Sequence, residues 1–170
     1  MSRCARRLLF AISFCASLLV ASTASAQQYL IGASAQLASG VDGGGGTSSA
    51  FMRTRTRIRL GCDLRIDESP EDVFGAALLA QIEPRAAFGV DVRYFRAVSP
   101  KVTVNAGALG YLAPSSLFGP SAGLDMRFPA GAKTFVTLGP EVNFFVLGSD
   151  LPDGTFIWQA LLQVGAHVDL

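Results

Sequence analysis

Residues 53–67 read RTRTRIRLGCDLRID, and the two interleaved halves of that stretch differ in kind. Arg53, Arg55, Arg57, Arg59, Asp63, Arg65 and Asp67 occupy one set of alternate positions; Ile58, Leu60, Cys62, Leu64 and Ile66 occupy the other. Successive side chains of a β-strand point to opposite faces, so a strand here carries one charged face and one apolar face. A helix would scatter the same residues around its circumference. The stretch predicts a strand standing between two unlike environments.

The same period of two recurs outward from this strand to both ends of the chain. At the C-terminus Trp158, Ala160, Leu162, Val164, Ala166, Val168 and Leu170 alternate with a mostly polar or small set that includes Gln159, Gln163, His167 and Asp169. Strands are expected at 28–38, 52–67, 73–83, 86–96, 101–111, 117–128, 133–147 and 155–170. The breaks between them, at residues 41–49, 68–72, 84–85, 98–100, 113–116, 129–131 and 148–154, are rich in Gly, Pro, Ser and Asp, where turns nucleate. Eight antiparallel strands joined by short hairpins can close into a barrel and leave no free edge. Two places strain this reading. Ser69-Pro70-Glu71-Asp72 has the chemistry of a helix start, although Phe74, Ala76, Leu78, Ala80 and Ile82 still alternate with the residues between them. Pro140 lies mid-strand without an N–H to donate, which predicts a bulge or break at Gly139-Pro140.

Ahead of the first strand, Arg3, Arg6 and Arg7 precede a nearly unbroken apolar run over residues 8–21, and Ala24-Ser25-Ala26 forms an A-x-A cleavage site. This is the pattern of a secretory signal peptide over 1–26, cut before Gln27, leaving the barrel as a single domain over 27–170. Removing three arginines and no acid takes the formal charge from +1 to −2, and Cys62 is left as the lone cysteine. The fold then needs no disulfide, and Cys62 reads as a small buried hydrophobe. With half of its 170 residues hydrophobic and 16% charged, the chain must bury apolar surface in protein or lipid. Its near-neutral charge leaves no electrostatic footprint for nucleic acid.

Period two does not by itself say which face is inside. The sorting of charge favours a membrane. Arg53, Arg55, Arg57, Arg59, Asp63, Arg65, Asp67, Glu83, Asp91, Arg93, Asp125, Arg127 and Glu141 share one face, and the opposite face carries only Arg96, at a strand end. An arginine or lysine at the bilayer midplane costs about 2–4 kcal/mol, so lipid enforces such a purge. Aromatic residues form two sets, with Tyr29, Phe74, Tyr94 and Phe128 toward the terminus side and Phe88, Phe118, Phe144 and Trp158 toward the other, as in the girdles of a transmembrane barrel. The expected fold is therefore all-β, an eight-stranded antiparallel up-and-down transmembrane β-barrel. In it Arg55, Arg57, Arg59, Asp63, Arg65, Glu83, Asp91, Arg93, Asp125, Arg127 and Glu141 form a structural ion-pair network in the lumen.

Over residues 28–170 the chain resembles the small bacterial outer-membrane β-barrels of the outer-membrane-protein-A or -X type. The resemblance rests on the signal peptide, the eight alternating strands and a last strand that runs to the C-terminal residue. It implies a Gram-negative outer membrane, with lipid and lipopolysaccharide around the barrel. It also implies recognition of residues 158–170 by the outer-membrane insertion machinery, although the usual terminal Phe is here Leu170. It does not imply one function.

Residues with catalytic chemistry are sparse. His167 is the sole histidine, with no further ligands spaced for a metal and no His-x-Ser motif, so neither an enzyme nor a cofactor is expected. Gly43 to Gly46 lacks the Lys-Ser/Thr and the strand-loop-helix context of a phosphate loop. The expected product is an integral barrel plugged by its own side chains, with a structural role in the envelope. The rival is a secreted or periplasmic lipocalin-like barrel, in which Ile58, Leu60, Val90, Val104, Leu124, Val142 and Leu162 line a pocket for a small apolar ligand.

Overall fold

The alternating segments form long strands: β1 (Tyr29–Gly45), β2 (Phe51–Ile66), β3 (Ser69–Glu83), β4 (Ala87–Ser99), β5 (Val102–Ala113), β6 (Leu117–Pro129), β7 (Thr134–Phe145) and β9 (Phe156–Asp169). A two-residue β8 (Leu147–Gly148) extends the β7 arm beyond Val146 and pairs with β6. The computed structural model describes residues 29–45, 51–66, 69–83, 85–149, 151 and 155–170. The expected signal segment, residues 46–50 of the first loop and Asp67 lie outside the described residues. Each long strand pairs antiparallel with the next, and β1 pairs with both β2 and β9, placing Ala35 opposite Leu60 on one side and Ala166 on the other. The result is a closed eight-stranded barrel in which every long strand has two neighbours.

Burial follows the alternation. Along β4, Ala87, Gly89, Asp91, Arg93 and Phe95 are buried while Phe88, Val90 and Val92 are exposed. The two faces of the sequence are thus the lumen and the exterior.

Four local expectations need correction. The first strand does not end at residue 38. It runs on through Gly45, because Gly43 and Gly45 lie under the rings of Trp158 and Phe156, which fill the space a side chain would take. Large aromatics covering strand glycines are a known device for holding such segments extended. Ser69-Pro70-Glu71-Asp72 opens β3 rather than a turn or helix. There Asp72 sits directly opposite Arg96 and accepts the Tyr94 hydroxyl, so the one charged residue expected on the outer face has a cross-strand partner at the rim.

The third correction concerns Pro140, which makes neither a bulge nor a strand break. Pairing of β7 with β9 continues through Gly139–Gln163 and Pro140–Leu162. Only the β6 side lapses, between Gly123–Glu141 and Met126–Leu138, and it resumes in the same register. A proline lacks one N–H and so forfeits bonds on one side only. Gly139 packs its backbone against Leu124, whose carbonyl oxygen a Cβ would strike. Gly139→Ala is expected to cost about 1–3 kcal/mol by overpacking. Gly131→Ala, where the new carbon would lie 3.7 Å from Thr134, is expected to leave the unfolding midpoint unchanged. Urea titration of both variants checks this contrast.

Finally, Cys62 is exposed on the apolar exterior, not buried, because its neighbours Leu60 and Leu64 face outward with it.

Candidate functional site

Eight strands leave an interior just wide enough for side chains to occupy. In this barrel the central occupants are charged. Glu141 on β7 accepts from Arg57 on β2 and, at 2.7 Å, from Arg93 on β4. Asp91 on β4 accepts from Arg59 Nε at 2.8 Å and lies 2.7 Å from Arg93 Nε. Arg57, Glu141, Arg93, Asp91 and Arg59 therefore form one continuous chain of ion pairs across the lumen. Side chains of Arg57, Glu141 and Asp91 are fully shielded from solvent.

Neutral amides extend the chain to the remaining walls. Asn143 donates to Glu141 at 2.8 Å; Asn105 donates to Asp125 at 3.0 Å and Gln163 to the same carboxylate at 2.7 Å. Gln36 and Ser34 accept from Arg59 at 3.3 and 3.4 Å. Arg59 also lies over the Phe95 ring, 5.7 Å from its centre, a cation–π arrangement. Small residues on the facing wall make the room. A Cβ on Gly75 would meet both the Asp63 carboxylate and the Phe95 ring, and one on Gly32 would meet the His167 imidazole.

Toward the terminus end, His167 is held between two carboxylates, Nδ1 at 3.1 Å from Asp63 and Nε2 at 2.9 Å from Asp169. Ser34 lies opposite His167 in register, but both ring nitrogens face carboxylates, so neither is free to take a serine proton. Among the described residues no group of His, Cys, Asp and Glu has the arrangement of a metal site. Toward the other end Leu79, Ala87, Leu109, Tyr111 and Phe145 form an apolar cluster, with the Tyr111 and Phe145 rings 5.8 Å apart.

The residues expected in the lumen network fall into four groups. Arg57, Arg59, Asp91, Arg93 and Glu141 form its centre. Arg55 pairs instead with Asp42 and donates to Gln81, while Asp63 meets His167 and Arg65 approaches Asp169 at 3.8 Å. Asp125 is held by amides, and Arg127 is half-buried with no ion pair among the described residues. Glu83 does not join: at the end of β3, beyond an irregularity opposite Thr56 and Arg57, it is exposed. Asp42, Asp169 and the amides join these charges without being among the residues expected there. Asp42 was hidden by glycines that read as a turn; Asn105, Asn143, Gln159 and Gln163 carry the same odd-numbered parity as the charges and were legible from it.

The exterior has the opposite chemistry. Leu60, Leu78 and Leu162, near the middles of their strands, are 56%, 58% and 59% exposed. Phe74, Tyr94 and Phe128 ring the terminus end, and Phe88, Phe118, Phe144 and Trp158 ring the other. The lipocalin-like alternative is overturned here: Leu60, Val90, Val104, Val142 and Leu162 all face outward, and no apolar pocket is built from them. Charge inside and hydrocarbon outside, in a sheet without edges, define a barrel of the membrane-spanning class.

No protein-family model matches the sequence, and no curated protein does. Solved structures do match. Neisserial surface protein A (NspA) aligns with a TM-score of 0.54 and 11% identity over 86% of this chain and 100% of that one. The outer membrane protein AlkL, determined in lipid bilayers, aligns at 0.54 and 9% over 88% and 94%. Ail, the attachment invasion locus protein of Yersinia pestis, aligns at 0.50 and 11% over 82% and 99%. At such identities the likeness is one of fold: the chain has the architecture of small outer-membrane β-barrels.

Proposed function

We propose that the chain is an integral outer-membrane protein with a structural role in the envelope, its lumen closed to solutes by its own side chains. One observation carries this reading: the buried charged residues lie inside the barrel while leucines at mid-strand are more than half exposed. In water that arrangement would expose a continuous apolar belt, which soluble monomers avoid; in a bilayer it is the low-energy state. The ion-pair chain and the apolar cluster of Leu79, Leu109, Tyr111 and Phe145 stand in series along the lumen and support closure. A signal peptide over 1–26 would deliver the chain to the periplasm, and residues 158–170 would be read by the insertion machinery. Lipid and lipopolysaccharide would surround the belt. No enzymatic step is assigned.

Fractionation tests this directly. The expressed protein is expected to stay with outer membranes through carbonate and urea washes, and to run faster on a gel unheated than boiled. Release as a soluble monomer would overturn the membrane reading. Conductance steps in planar bilayers would overturn closure while leaving the membrane reading intact.

A further inference from the structure

Three strands meet in one row at the terminus end of the lumen. Register sets Gly32 on β1 opposite Asp63 on β2 and opposite Asp169 on β9, so two carboxylates flank a residue without a side chain. The imidazole of His167 fills that gap: a Cβ on Gly32 would lie 2.7 Å from its Cε1 and 2.8 Å from its Nε2. The ring thus reaches over β1 from the last strand to β2, with Nδ1 at 3.1 Å from Asp63 Oδ2 and Nε2 at 2.9 Å from Asp169 Oδ1. A neutral imidazole has one N–H and one bare nitrogen, whereas an imidazolium donates from both. In either neutral form the bare nitrogen sets its lone pair against a carboxylate oxygen. Only the imidazolium satisfies both contacts.

The ring stands clear of the hydrocarbon. β9 has 14 residues, and a tilted strand crosses a bilayer core in about 9–11. With Trp158 in the far girdle, His167 lies at the terminus rim. Other charges face it from two strands. On β2, Arg65 lies 3.8 Å from the far oxygen of Asp169, and Arg59 borders a chamber of about 20 Å³ beside the ring. On β6, Asp125 and Arg127 border the same chamber. The parts of β1, β3, β4 and β7 that face it, among them Ser34, Val73, Phe95 and Thr137, bring no charge. Asp63 Oδ1, Arg59 Nη2 and the Thr137 hydroxyl have no partner among the described residues, and the chamber is large enough for a water molecule to serve such atoms and to carry protons to the ring. The hydrogen bond to Asp63 raises the range in which the imidazolium gives up its proton; burial opposes this, the bond to Asp169 adds to it, and Arg127 works against it from a distance.

We propose that His167 is a pH-sensitive latch on the last strand: as the imidazolium it ties β9 to β2 across Gly32, and loss of one proton leaves it bound to one carboxylate only. The folded barrel offers the imidazolium two carboxylates and the unfolded chain offers none, so the folded state holds the second proton more tightly. The stabilisation is therefore complete below the range of a free histidine, about pH 6.5, and is lost as the pH rises through the higher range of the folded barrel. The latch acts where the sheet closes. Beside it Leu170 N–H donates to Ile31 at 2.8 Å and Asp169 N–H to Lys133 at 2.9 Å, fastening β9 to β1 and to the turn before β7. His167 is the sole histidine, so no second imidazole titrates over the same range. The latch requires the closed barrel and does not depend on which membrane holds it.

The test uses the full barrel, in uncharged maltoside micelles for NMR and in phosphatidylcholine vesicles for unfolding. At about pH 7, long-range proton–nitrogen spectra of the His167 ring are expected to show both nitrogens protonated. In urea, the unfolding constant at fixed denaturant is expected to rise about tenfold or more between about pH 6 and about pH 8, because a charge-assisted hydrogen bond is lost from the folded state alone. Amide protection of residues 167–170 should fall over the same range. His167→Gln is expected to remove this rise, and Asp63→Asn to cut it to about threefold or less. A bare ring nitrogen at about pH 7 overturns the proposal. So does a pH response that His167→Gln leaves unchanged. Should His167→Gln fail to fold, the ring-nitrogen spectrum of the wild-type barrel and the Asp63→Asn response decide the matter.

Discussion

Replacing Glu141 with glutamine will destabilise the barrel by about 3–5 kcal/mol, because it removes one side of a buried ion pair and leaves the other. The carboxylate stands between Arg57 and Arg93, and all three side chains are at most 1% exposed. Glutamine keeps the volume and one acceptor oxygen but withdraws the charge. Arg93 retains Asp91, whereas Arg57 retains no carboxylate among the described residues. The orphaned group is therefore Arg57. Adding Arg57→Met to Glu141→Gln should recover more than about 1 kcal/mol of the loss, a coupling that general damage to the fold would not produce. Urea unfolding in phosphatidylcholine vesicles reads both quantities. A single-variant loss below about 1 kcal/mol would mean that water reaches the ion pairs and screens them.

A second large effect comes from the outside. Leu60→Arg places a guanidinium near the middle of β2 on the exterior and is expected to cost about 2–4 kcal/mol. Met52→Arg lies on the same strand and the same face, at the end where β2 begins, and is 70% exposed. Its cost should be about 0–1 kcal/mol. The depth dependence is the informative quantity, since two positions equally exposed to water would respond alike. Equal, small costs at both would show that no hydrocarbon covers Leu60.

The local chemistry of the strands is mostly legible in the sequence. The parity of Arg57, Arg59, Asp91, Arg93 and Glu141 placed them together on one face, and they meet there. What parity leaves open is which pairs meet: Arg57 and Glu141 are 84 residues apart in sequence, and a barrel brings them across its lumen. Glu83 shows where parity stops. It has the right parity, but an irregularity in the β2–β3 pairing lies between it and the network, and it ends in solvent. Asp42 shows the converse. Its flanking glycines signalled a turn, and only the rings of Trp158 and Phe156, contributed by the far end of the chain, keep that segment extended.

The sequence alone determined that this protein is made of strands with one charged and one apolar face, because the alternation of side chains along a strand is local geometry. Which neighbours answer each buried charge was decided by the closed sheet, because strand tilt and register set distances between residues far apart in the chain. The cup lined by Arg53, Arg85, Tyr111 and Ile157 belongs to that second class, since these residues share one lining only once β9 has closed on β1.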